Sequence, residues 1–178
     1  MVWEQVKAID HHLSVPLHNC ASIGLCEYVV FLLAVAFNPC ILPFLWAAAL
    51  LPYPISPQLI LACSGSILLT LVLTLLLKKA LGRPRPVYNS TRGSQLLLNF
   101  RGRETNCSMP SGDSAQAGLF WAFLVLQTGF SLPLGCLCAF GTMFARVFYM
   151  CHYWGDTVVG VGLGVMVAWL MSGLVPNL

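Results

Sequence analysis

The chain has 178 residues, of which 58% are hydrophobic and only 8% charged, and its formal net charge is +3. Soluble domains are nearer ~45–50% apolar and ~25% charged, so the composition excludes an ordinary water-soluble globule and points to an integral membrane protein. The length holds one domain over residues 1–178. No nucleic-acid partner is expected.

Taken in chain order, the first segment is mixed. Val2, Val6, Ile9 and Leu13 recur at helical spacing beside Trp3, which predicts an amphipathic helix over 1–20 lying in the membrane interface. No basic stretch followed by a small-residue cleavage site precedes it, so no removable signal peptide is expected. Asp10, His11 and His12 fall on or near its polar side. Neighbouring histidines on a helix point apart, so solvated surface is expected there. Residues 23–51 are apolar but interrupted by Asn38-Pro39. They read either as one kinked span or as two short halves meeting at the proline. Glu27 lies at the interface or faces a neighbouring helix.

Pro52, Pro54 and Pro57 make a loop, and 58–79 is a span of the ~20 residues a bilayer requires. It ends in Lys78-Lys79. Residues 82–109, rich in Gly, Pro and Arg, cannot cross lipid. Spans follow at 112–130, 134–150 and 155–174, and Gly160, Gly162 and Gly164 permit close packing of the last. The predicted fold is all-α and multi-pass, a bundle of five to six transmembrane helices with an interfacial helix before it.

Charge is unevenly placed. Eight of the nine basic residues (Lys78, Lys79, Arg83, Arg85, Arg92, Arg101, Arg103 and Arg146) lie in one stretch, with only Lys7 outside. This predicts an anionic ligand or an anionic membrane face, the plain alternative being positive-inside topology. The eight cysteines form no CxxC pair or zinc spacing, so neither a disulfide framework nor a metal site is expected. Counting spans brings Lys78, Arg85, Ser111, Arg146, His152 and Asp156 to one membrane face.

Ionisable groups at such a position mark a functional site. Arg suits bidentate phosphate contact and Lys a point-charge contact. Pro110-Ser111-Gly112-Asp113 opens a helix, whose first amides and dipole favour an anion; the structural alternative is that Ser111 or Asp113 only caps it. His152 and Asp156 are four apart. If the last helix starts before His152 they share a face, and the carboxylate would fix the imidazole tautomer so that the other nitrogen can attack phosphorus.

The pattern Lys78-x6-Arg85-Pro86, Pro110-Ser111-Gly112 and Arg146-x5-His152-x3-Asp156 resembles the type 2 phosphatidic acid phosphatase superfamily. That family includes lipid phosphate phosphatases, glucose-6-phosphatase and soluble vanadium haloperoxidases. The resemblance runs from Lys78 to Asp156. It implies a metal-independent phosphohydrolase without cofactor. His152 would be the nucleophile that forms a phosphohistidine, and Asp156 its orienter. Lys78, Arg85, Ser111, Gly112 and Arg146 would hold the phosphoryl oxygens.

Two positions depart from the family. Ala145 stands where Ser usually precedes the arginine, and Asp113 replaces the histidine that protonates the leaving alcohol. An ordinary aspartate titrates near ~3.9, which makes it a poor acid at neutral pH. A diphosphate leaving group, with a relevant pKa of about 6, needs little protonation, so Asp113 tilts the expected substrate toward a lipid diphosphate. The expected activity is a lipid phosphate or lipid diphosphate phosphatase in the membrane. The alternatives are a phosphotransferase of the same chemistry and an inactive lipid-binding relative. The expected partners are a phosphorylated lipid and the surrounding membrane lipids. Arg and Lys counting puts the active face in the cytosol. The resemblance favours a lumenal or exoplasmic face of the endoplasmic reticulum or plasma membrane, and the sequons Asn89-Ser90-Thr91 and Asn106-Cys107-Ser108 fit that side.

Overall fold

The computed structural model describes residues 2–20, 24–54, 56–93, 95–96, 100–101 and 104–174. Among these the secondary structure is all helical: α1 (Val2–His18), α2 (Cys26–Val35), α3 (Leu42–Leu50), α4 (Pro57–Leu81), α5 (Ser90–Gly93), α6 (Gly112–Thr128), α7 (Leu132–Phe148) and α8 (Trp154–Ser172). Of the loop arginines expected to carry positive charge, Arg103 and the Arg92 side chain lie outside the described part.

The segment over 23–51 takes the two-halves form. Asn38 ends one half and starts the next. Its carbonyl accepts the amides of Ile41 and Leu42, and its side-chain oxygen accepts the Cys40 amide at 3.1 Å. At 10 and 9 residues, α2 and α3 are each too short to cross a bilayer alone.

α4 and α8 are long and apolar enough to do so. Ser56 caps α4 by accepting the Leu59 amide, Pro57 occupies its first turn, and Lys78 and Lys79 complement its C-terminal dipole. Gly82, at φ +57°, stops it, a conformation glycine adopts without steric cost.

α8 packs along α6, and glycines set the distance. A Cβ at Gly160 would stand 2.5 Å from the Ser111 carbonyl oxygen, and one at Gly118 2.5 Å from that of Val161. Gly164 lies closer still to the Ala115 carbonyl. Gly162, by contrast, has no neighbour within 4 Å and takes no part in this approach.

Two apolar clusters fill the interior. Phe37, Trp46, Leu59, Phe120, Phe123 and Val167 form one; Val30, Ala34, Ala145, Phe148 and Tyr149 form the other, beside the polar end of the bundle. Glu27 is buried there and accepts the Tyr149 hydroxyl, so it faces a neighbouring helix, one of its two expected positions. Leu61, Leu68, Leu75, Leu137 and Trp169 are left uncovered by protein.

Candidate active site

Gly82 turns the chain out of α4 into the extended run Arg83-Pro84-Arg85-Pro86. In extended chain, residues two apart face the same side, so both arginines turn inward. Arg83 is buried and bridges Asp10 (2.7 Å) and Asp156 (2.8 Å). Arg85 donates to the Asn106 carbonyl, the Asn106 side chain, the Cys151 carbonyl (2.7 Å) and Glu104 (2.8 Å), and places Nη1 3.3 Å from His152 Nε2. Lys78, on the last turn of α4, donates to the Cys107 carbonyl at 2.6 Å.

His152 is presented by the way α7 ends. The Cys151 amide reaches the Arg146 carbonyl and the Met150 amide the Val147 carbonyl, while Met150 adopts φ +57°. This pair of bonds about a left-handed residue is a Schellman ending, normally built on glycine; here a buried methionine holds it. The turn fixes Arg146 before it and His152 after it in one short reversal.

α8 starts at Trp154, so the condition that would have put His152 and Asp156 on one helical face is not met. Asp156 is instead the third residue of the helix, where its Oδ2 accepts the Tyr153 amide at 2.9 Å. Ser108 donates to the same oxygen and Arg83 to the other. His152 Nδ1 stands 3.7 Å from Asp156 Oδ2, longer than a hydrogen bond, so the carboxylate faces the imidazole without binding it in this state. Because an arginine N–H can only donate, the Nε2 it approaches must carry the lone pair, which leaves the proton on Nδ1. The His152 side chain is almost wholly buried. Burial, together with the Arg146 and Arg85 cations, outweighs Asp156 and holds its pKa down to about 3, so the imidazole is neutral. The neighbouring Cys151 thiol is pushed by burial up to about 11 and is not a competing thiolate.

Ser111 is fully buried and its hydroxyl accepts the Ser114 amide at 3.4 Å, the helix-capping alternative. Its own amide donates to the Asp156 carbonyl, which ties the start of α6 to the start of α8. Gly112 and Asp113 follow in the first turn, and Asp113 pairs with Arg146 Nη1 at 3.0 Å. Ala145, in the place of the usual serine, packs in the apolar cluster.

Besides Arg83 and Ser108, which hold Asp156, three residues at the site were not foreseen. Asp10, expected on the polar side of α1, is buried, because its carboxylate takes both Arg83 and the Gly155 amide (2.8 Å). Ser14 accepts the Trp154 amide at 3.1 Å, so α1 caps the first turn of α8. Glu104 binds Arg85 and Arg146 (2.5 Å) at once. A lone glutamate in a polar loop carries no spacing signal. Asp10 and Ser14, four apart on α1, could have been noticed only as a polar stripe. Among the described residues no group of three His, Cys, Asp or Glu is placed to hold a metal ion.

Residues 59–178 match the family described as the PAP2 superfamily. The chain belongs to that superfamily. The matched range takes in every predicted site residue of this PAP2 chain, from Lys78 to Asp156; α1, with Asp10 and Ser14, precedes it. A stretch of 89 residues is 33% identical to a lipid A 1-phosphatase of Rhizobium johnstonii (strain DSM 114642 / LMG 32736 / 3841), covering 50% of this chain and 36% of that relative. The match thus spans about a third of the relative's length. In fold, the chain is similar to the crystal structure of a transmembrane PAP2 type phosphatidylglycerolphosphate phosphatase from Bacillus subtilis. The TM-score is 0.73 at 18% identity, with 95% of this chain and 85% of that one covered.

Proposed function

We propose that the protein is an integral membrane phosphatase that removes a terminal phosphate from a phosphorylated lipid through a phosphohistidine on His152. The observation that carries this reading is the buried imidazole whose Nε2 lies 3.3 Å from Arg85, with Arg146 and Lys78 in the same cluster.

The chemistry runs in two displacements. His152 Nε2 attacks phosphorus as the bond to the leaving oxygen breaks. The Asp156 carboxylate, facing the Nδ1 proton, stabilises the positive charge the ring gains. Lys78, Arg85, Arg146 and the first-turn amides of α6 hold the three equatorial oxygens as charge develops there. Water then attacks phosphorus, the P–N bond breaks, and phosphate leaves with His152 restored. Asp113, next to Arg146, is the family-position group for handling the leaving-group or water proton. The carboxylates Asp10, Glu104, Asp113 and Asp156 are each committed to an arginine, and on this reading Lys78, Arg85 and Arg146 meet the phosphate charge in place of a divalent ion.

Lipid is favoured over a soluble phosphate by the stretch shared with a lipid A 1-phosphatase; an apolar cavity of about 820 Å³ between α6, α7 and α8, lined by Trp121, Phe140, Met143 and Met166 among others, holds none of the cradle residues but offers apolar surface to an acyl chain. α1 fits an interfacial helix: Val6, Ile9 and Leu13 are exposed on one face while Asp10 and Ser14 dock on α8 from the other.

The test is a phosphate-release screen of purified protein against lipid monophosphates and diphosphates, with and without chelator. Release from at least one lipid class, undiminished by EDTA, is expected; EDTA-sensitive activity restored by magnesium would contradict the reading, as would phosphoryl transfer to an acceptor other than water.

A further inference from the structure

Glu104 occupies the space where the cluster should take its ligand. One carboxylate oxygen accepts Arg85 Nη2 at 2.8 Å and the other Arg146 Nη2 at 2.5 Å. A carboxylate straddling two guanidiniums reproduces two of the contacts a phosphoryl group would make. The residue is held there. Arg101 donates to the Glu104 carbonyl and, through Nε, to the Pro86 carbonyl, so the loop is tied to the segment that carries Arg85. Glu104 also lines a cavity of about 210 Å³ with Arg83, Arg85 and Arg101, and its side chain keeps 26% exposure, so it has somewhere to go.

We propose that Glu104 is a resident competitor for the phosphate cradle, an autoinhibitory contact that any phosphoryl ligand must displace. This rests on the phosphatase reading. The groups facing Glu104 are Arg85 beyond α4, Arg146 on α7, His152 before α8 and Arg101 on its own loop; Lys78 on α4 lies further off, and Asp113 on α6 shares Arg146 with it. Burial works against its charge, but Arg146 and Arg85 outweigh that and keep the carboxyl below the ordinary range, so it is ionised at neutral pH. A terminal phosphate brings about −1.5 to −2 at pH 7, more than the single charge of the carboxylate it displaces. The displacement itself costs the same whatever the ligand, so Glu104 lowers the affinity of every oxyanion by a common factor.

The test uses sulfate and methyl sulfate, tetrahedral oxyanions that differ by one charge and keep their charge across the working range. Binding is read as the rise in Tm of the full-length protein in detergent at constant ionic strength, which needs no turnover. Wild type should bind sulfate more tightly than methyl sulfate at pH 7. Glu104→Gln, which keeps the shape and removes the charge, should bind each about tenfold more tightly, with methyl sulfate gaining no more than sulfate. Glu104→Asp, one methylene short of bridging both arginines, should fall between, and it serves if the glutamine variant does not fold. In turnover, kcat/KM for a lipid phosphate should rise in Glu104→Gln through a lower KM. Sulfate binding no tighter in Glu104→Gln than in wild type, or a gain confined to methyl sulfate, would overturn the proposal. Failure of wild type to release phosphate from any lipid would sink the phosphatase reading instead.

Discussion

At the scale of single residues, the site is governed by how burial and fixed charge act on His152. An unperturbed imidazole at pH 5 is only roughly 3% neutral. With its pKa held down to about 3, His152 remains almost wholly neutral there. The acid limb of kcat/KM, which reports the free enzyme, should therefore not fall at ~6.5, and an inflection near that value assigned to His152 would contradict the electrostatics. The same shift has a sign in stability. The folded state binds the proton more weakly than the unfolded chain, so the contribution is full above ~6.5 and is lost as pH falls toward 3. Asp113 is the second residue on which the chemistry turns. If it must donate a proton, Asp113→His should move the optimum for lipid monophosphates toward neutrality, since imidazole titrates near ~6.5. If the substrate is a diphosphate, Asp113→Asn should keep an appreciable first-step rate. Paired pH–rate profiles on a monophosphate and a diphosphate lipid separate these. Equal wild-type rates on both lipids at pH 7, with Asp113→Asn indistinguishable, would leave Asp113 as only the partner of Arg146.

At the scale of elements, α6 and α8 form the frame, and their spacing is set by backbone meeting backbone. Gly164→Ala should cost about 1–3 kcal/mol, because a methyl there meets the Ala115 carbonyl and the helices must part. Gly162→Ala, on the same helix with open space around it, should be neutral or slightly stabilising. Thermal unfolding of the two variants in one detergent checks this, and equal losses would mean that the α6–α8 approach is not what the glycines serve. α1 holds the frame from outside the matched family range. Asp10→Ala removes a partner from buried Arg83 and uncaps α8, and should cost about 3–5 kcal/mol with loss of activity. A stable, fully active variant would show that α1 merely rests on the bundle. The long apolar runs made α4, α6, α7 and α8 legible in the sequence, because continuous hydrophobicity over helical length marks a segment kept from water, by lipid or by neighbouring helices. The docking of α1 was not legible: the partners of Asp10, Arg83 and Gly155, lie far along the chain, and an amphipathic pattern does not say what its polar side touches.

At the scale of the whole molecule, the sequence motifs placed Lys78, Arg85, Arg146, His152 and Asp156 correctly at one end of the bundle, since span count alone decides which face a residue reaches. What they left out is how those groups are held. The three cations are met by Glu104, Asp113 and loop carbonyls, and Asp156 is shared among Arg83, Ser108 and the Tyr153 amide. Such networks depend on chain reversals like the Met150 turn, and no residue spacing encodes them. The account makes His152 the atom-level centre of all of this, and rapid acid-free quenching of the protein with lipid labelled in its terminal phosphate tests that most directly. An acid-labile, alkali-stable label that mass spectrometry places on His152, formed and lost within one turnover and absent from a folded His152→Ala variant, is the predicted result. Phosphate release at near wild-type rate by His152→Ala, or a label carried by any other residue, would contradict it.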